Sequence, residues 1–262
     1  MKERLGSLFV VLLAAMLASG MLLAGSKDPW IAKPFDQWTD QDIQTILTVS
    51  PWIQKVTVEA TWKPMTPGEM PESAPGIPSG AQSQPTAGGG NGTSQNRPQT
   101  VIPAEADPNA RTRGDDVQFL VYWMSSRTMR GAVARRAELH AGEDPKEAAA
   151  MVAQPQETYR IVVQGTDMAP FQRQEEKGYE SLAWLQLKKS KDRISPSHVY
   201  FQKDNKGIVT SAVFEFPRKS AAGEPLIPTD AKGVEFDCKV GASTLKAYFE
   251  PFKMTDSQGA DL

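Results

Sequence analysis

The sequence predicts an α+β fold: an antiparallel sheet built largely of hairpins, with a few short helices, interrupted by a long Pro/Gly-rich segment expected to be disordered. Three observations predict it. Short runs alternate in hydropathy with period two, the pattern of strands with one buried face. Turn chemistry such as Asp204-Asn205-Lys206-Gly207 joins such runs in the second half. Helix-capping signatures cluster in the first half, and helices segregated from hairpins describe an α+β domain.

The chain opens with Lys2 and Arg4, an uninterrupted apolar stretch over residues 8–17, a second apolar patch over 21–24, and the small residues Ala24, Gly25 and Ser26. A charged start, an apolar middle and small residues at the end predict an export leader over residues 1–26, cleaved before Lys27. The alternative is a retained anchor, since residues 8–25 approach the ~20 that a spanning helix needs. Gly20, Ser19 and the short charged region favour removal. Either way the rest of the chain is expected outside the cytoplasm: periplasmic, extracellular, or anchored in the inner membrane and facing the periplasm. Leu23-Ala24-Gly25 reads like the start of a lipoprotein box, but Ser26 lacks the thiol that diacylglyceryl transfer needs.

Residues 27–63 read as helix, stop, strand. Thr39 followed by Asp42 is a capping box, with Ile43, Ile46 and Leu47 at helical spacing behind it. Ser50-Pro51 ends the helix, because a residue before proline avoids the helical region. Val56, Val58, Ala60 and Trp62 then alternate with Thr57, Glu59, Thr61 and Lys63 as a half-buried strand. Residues 64–116 are rich in proline and glycine and hold no aromatic side chain, so burial cannot offset their ordering entropy and disorder is expected.

Residues 117–262 are expected to form the main α+β part of the same domain. Val117, Phe119, Val121 and Trp123 alternate with Gln118, Leu120, Tyr122 and Met124, a strand apolar on both faces and therefore central. Ser126 or Ser125 caps a helix over about residues 128–140 that carries Met129, Val133 and Leu139 inward, and Asp144-Pro145 opens a second, short helix. Residues 159–163 read as a strand, and 172–189 as mixed, helical over 175–182 and extended over 184–187. Two hairpins close the chain. One flanks Gly207; the other pairs the Val234, Phe236, Cys238 face with Leu245, Ala247 and Phe249 through Gly241.

The chemistry is sparse. With 29 basic and 31 acidic residues and no basic block, no nucleic-acid grip is expected. A single cysteine excludes an intramolecular disulfide and multi-cysteine metal sites, and the apolar row around Cys238 makes it a core residue. No nucleophile elbow, phosphate loop, zinc helix or calcium loop occurs. His140 and His198 lack a signalled relay partner, and the acidic pairs Asp115-Asp116 and Glu175-Glu176 point apart on any regular element. No catalytic residue, metal or cofactor is therefore assigned. Arg127, Arg130, Arg135 and Arg136 read as a solvated helix face. Trp30, Trp38, Trp52 and Trp62 read first as core residues, since tryptophans usually bury most of their area. The alternative is a ligand platform, for which the two beside prolines, Trp30 and Trp52, are the candidate ligand-binding residues facing the surface.

Lys33-Pro34-Phe35, Trp38-Thr39 and Ser50-Pro51-Trp52 resemble the K-P-[FY]…W-[ST]…S-P-W start of a family of bacterial exported, often lipoprotein-like proteins. Val121-Tyr122-Trp123 before Ser125, Phe216-Pro217-Arg218 and the last hairpin are similar to it too. The resemblance implies an envelope location and one domain across the interruption, without an activity. Many members carry a lipobox cysteine, and this chain departs from them at Ser26. The expected function is that of a non-enzymatic binding or structural partner in the cell envelope. The alternatives are a carbohydrate- or peptide-binding module using exposed tryptophans, and an enzyme with an unrecognised carboxylate site. Its partner would be another envelope protein or a glycan, with membrane contact only through a retained leader.

Overall fold

The computed structural model describes residues 28–63 and 116–262. The leader and residues 64–115 of the Pro/Gly-rich segment lie outside the described residues, while Asp116 already belongs to a strand. No helix among the described residues is long and apolar enough to cross a membrane.

Helix α1 (Pro29–Ala32) and a 3-10 turn (Phe35–Gln37) lead into α2 (Asp40–Val49). The capping box forms as expected. The Thr39 side chain accepts from the Asp42 N–H, and Asp42 accepts from the Thr39 N–H at 2.8 Å. Strand β1 (Ile53–Glu59) begins directly behind Trp52, three residues earlier than the alternation alone suggests. Its partner is β2 (Asp116–Trp123), antiparallel, with Val56 opposite Phe119. The segments on either side of residues 64–115 thus share one sheet.

Helices α3 (Arg127–Ala141) and α4 (Pro145–Ala153) follow, then β3 (Thr158–Gly165), the short α5 (Ala169–Gln172) and a 3-10 turn (Glu176–Glu180). Next come β4 (Ala183–Leu187), β5 (Arg193–Ile194), β6 (His198–Lys203) and β7 (Val209–Pro217). The chain closes with β8 (Val234–Val240), β9 (Ser243–Phe249), a 3-10 turn (Pro251–Lys253), and the small hairpin of β10 (Thr255–Asp256) and β11 (Gly259–Ala260). The strands form a five-stranded sheet in the order β1-β2-β3-β7-β6 and a four-stranded sheet in the order β5-β4-β8-β9, antiparallel throughout. These antiparallel sheets with a few helices make the protein α+β.

The core lies between the two sheets. From the larger sheet, Phe119, Trp123, Ile161, Phe214 and Phe216 point inward, all fully buried. They meet Phe236 and Phe249 of the smaller sheet, with Trp123–Phe249 and Phe214–Phe236 centroids both 5.2 Å apart. Edge-to-face aromatic pairs of this kind add about 1 kcal/mol each to area burial. The sheets also meet side by side: the Ser243 hydroxyl donates to the Glu59 carbonyl at 2.8 Å, beside the Gly241 turn whose φ is +63°.

Helix α3 departs from expectation. Met129 is buried, but Val133 and Leu139 are 42% and 43% exposed. The inward face is made of Gly131, Ala132 and Ala134 instead. Small residues are needed there because a Cβ at Gly131 would lie 3.1 Å from both Phe35 and Trp38, so the helix comes close to the tryptophan-rich start only without one.

Candidate functional site

Trp30 and Trp52, the candidate ligand-binding residues, are buried at 6% and 0% exposure, in line with core packing and against a surface platform. The Trp52 indole N–H donates to the Asp261 carbonyl at 2.6 Å, and its ring meets Trp30 edge-to-face at 5.5 Å. The Trp38 indole donates to the Pro29 and Lys33 carbonyls. The prolines turn the chain inward rather than outward, and these rings staple the start of the fold to its core. A surface stacking platform is absent from that segment.

The arginine row on α3 is not a solvated face either. Arg127 grips Asp256 with two bonds of 2.8 and 2.9 Å. Arg130 donates to the Met151 and Gln154 carbonyls, tying α4 to α3, and Arg135 donates to the Trp38 carbonyl and Glu138. Only Arg136 of the four has no hydrogen bond or ion pair among the described residues. Burial, reinforced by Arg127, Arg218 and Arg160, lowers the Arg130 pKa against the pull of Asp261.

These elements enclose a groove of about 960 Å³ over the outer face of the five-stranded sheet. Its floor is a row across four strands: Tyr122, Val162, Val213 and Tyr200 stand opposite one another in register. A second row places Arg160 opposite Glu215 and Glu215 opposite His198, and Arg160 bridges to Glu215 at 3.0 Å. The helices supply the far wall through Leu47, Val133 and Met151, with Arg136 beside them. Met151 is 45% exposed. Burial raises the Tyr122 pKa, so its phenol stays neutral. Neither Tyr122 nor Tyr200 has a hydrogen-bond partner for its hydroxyl among the described residues. Glutamines 44, 154, 156, 164 and 202 also line it, together with Arg130 and Glu157.

The groove follows from the sequence of β2. Its inner residues Phe119, Val121 and Trp123 are fully buried, whereas Leu120, Tyr122 and Met124 on the other face are only half-buried. A central strand apolar on both faces normally carries helices on both. Here the helices cover only part of the outer face.

Two carboxylates have raised pKa values, and neither lines the groove. Burial raises Asp261, against hydrogen bonds from the Thr128 and Arg127 backbones. Its two oxygens accept those N–H groups at 2.9 and 2.6 Å, capping α3. Burial also raises Asp237, opposed by Lys246 and assisted by Glu235. Lys246 Nζ lies 3.0 Å from Asp237 Oδ1 but off the hydrogen-bonding direction. The other candidates have structural posts. His140 meets Asp40 at the surface at 2.7 Å. Glu176 accepts the Phe201 N–H on the β6 edge at 2.7 Å, and the Cys238 thiol is fully buried, which pushes its pKa up. Among the described residues no three His, Cys, Asp or Glu side chains gather as a metal site.

Comparison with known protein families, curated proteins and solved structures gives no match.

Proposed function

We propose that the protein is an exported envelope protein that works without catalysis, by holding a segment of another envelope protein in the groove over its five-stranded sheet. The observation that carries this reading is the half-covered apolar face of β2, with exposed Val133 and Met151 standing across from it. Exposed apolar surface gathered in one concave place is what a protein partner buries. Arg130, Arg136 and Arg160 outnumber Glu157 and Glu215 in the lining, so the segment that fits is apolar with a carboxylate. Export through residues 1–26 belongs to this reading, and the resemblance to exported proteins supports it.

Panning a displayed random peptide library against the protein tests it. Apolar peptides carrying Asp or Glu should be enriched; Val162→Lys should abolish their binding, and Arg136→Glu should weaken it about tenfold. Failure to enrich any Val162-dependent peptide would count against the reading. A second reading has its own observation: two phenols and five glutamines line the same groove, groups that stack on sugar rings and hydrogen-bond hydroxyls. It predicts that soluble glycan fragments bind in a manner lost with Tyr200→Ala, while peptides do not.

A further inference from the structure

A different face of the molecule gathers cations around exposed rings. Tyr248 on β9 and Phe252 in the following turn are 37% and 39% exposed. Lys188 Nζ lies 5.6 Å from the Tyr248 ring centroid, Lys232 Nζ 4.7 Å from that of Phe252, and Lys253 Nζ 5.6 Å from Phe252. The arrangement is fixed in place. The Tyr248 hydroxyl donates to the Lys232 carbonyl at 2.9 Å, and its ring lies flush on Gly233, where a Cβ would fall 1.9 Å from the hydroxyl oxygen. Two acids of this face are already engaged: Glu250 pairs with Lys253 at 2.5 Å, and Glu235 pairs with Lys246 at 2.7 Å. Lys188 and Lys232 have no ion pair among the described residues.

We propose that Tyr248 and Phe252, with Lys188, Lys232 and Lys253 around them, form a docking surface for an anionic lipid bilayer. Aromatic rings settle at the headgroup level, while lysines lay their stems along apolar surface and keep their ammonium groups at the phosphates. A nearby lysine contributes enough attraction to an anionic leaflet to raise binding about fivefold. The position of the patch agrees. Lys253 and Glu250 line one depression with Asp28, Trp30 and Ile31. The first described residue, Asp28, is therefore on this side, where Ile31 and Val49, 42% and 73% exposed, add apolar surface. The surface is separate from the groove and does not depend on what the groove binds.

The test uses the full chain with Phe252→Cys carrying an environment-sensitive fluorophore; Cys238 is fully buried and does not compete for the label. Vesicles of phosphatidylcholine, with and without phosphatidylglycerol, are compared, so that a tether through the leader acts in both. The label should move to an apolar environment only with phosphatidylglycerol. Lys188→Glu with Lys232→Glu should reduce the docked-to-undocked ratio by at least about 25-fold, the loss expected from removing two lysines alone, and added salt should reverse the docking. A label that stays in water with both vesicle types, or that shifts equally with both, overturns the proposal. So does a shift that survives the double charge reversal.

Discussion

Asp261 and Asp237 are the two carboxyl groups whose pKa burial raises, and they differ in how their oxygens are satisfied. Asp261 adds to the Ser126 cap: Ser126 accepts the Met129 N–H, and the Asp261 oxygens accept the N–H groups of Arg127 and Thr128 ahead of it, where the helix dipole also favours a negative charge. Asp261→Ala leaves those donors buried and unpaired and is expected to destabilise the fold by about 2 kcal/mol. Asp261→Asn keeps one acceptor and should lose less, as urea midpoints would show. Asp237 lies 2% exposed with only an off-axis lysine for its Oδ1, and burial raises its pKa above 3.8. A raised carboxyl pKa means that the folded state holds the proton more tightly than the unfolded chain. Its contribution to stability therefore falls as pH climbs above 3.8 through the folded value. Asp237→Asn removes that loss and leaves Lys246 its bond to Glu235. The variant should unfold at a higher temperature than the parent at neutral pH, with the gain shrinking toward about pH 4. Equal midpoints at neutral pH would contradict the account of this buried acid.

At the scale of elements, what could be read from the sequence depended on whether the signal was local. The capping box at Thr39 and Asp42, the cap at Ser126, the turn at Asp204 and the strand alternations all form where short-range chemistry puts them. The inward face of α3 was not legible, because Gly131 and Ala132 face the core only once Phe35 and Trp38 come from elsewhere to lie against them. What covers Trp30 and Trp52 is illegible for a related reason: the Trp52 indole finds its partner, Asp261, far away in sequence. The groove was half legible. The double-sided apolar pattern of β2 marked its outer face as special, but how far helices cover that face is a tertiary fact. Close contacts of this kind are testable. A Cβ at Gly165, at the end of β3, would lie 2.5 Å from the fully buried Phe119 ring. Gly165→Ala should therefore cost about 2 kcal/mol in chemical unfolding, an overpacking penalty that an exposed strand end would not carry.

For the molecule as a whole, the two sheets, the stapled tryptophans and the capped α3 give a rigid frame. It leaves one apolar concavity on the outer face of the five-stranded sheet and one ring of lysines about Tyr248 and Phe252. The central claim is that the concavity holds a partner segment, and exposed side chains on the helices test it most directly. Val133, Met151 and Leu139 are 42%, 45% and 43% exposed, yet only Val133 and Met151 line the groove. A photoreactive amino acid placed at each position in turn, in cells that make the protein, would compare groove with surface at matched exposure. The account predicts one discrete protein adduct from positions 133 and 151 that Val162→Lys removes, and none from position 139. Adducts of equal yield at all three positions, or adducts that survive Val162→Lys, would contradict it.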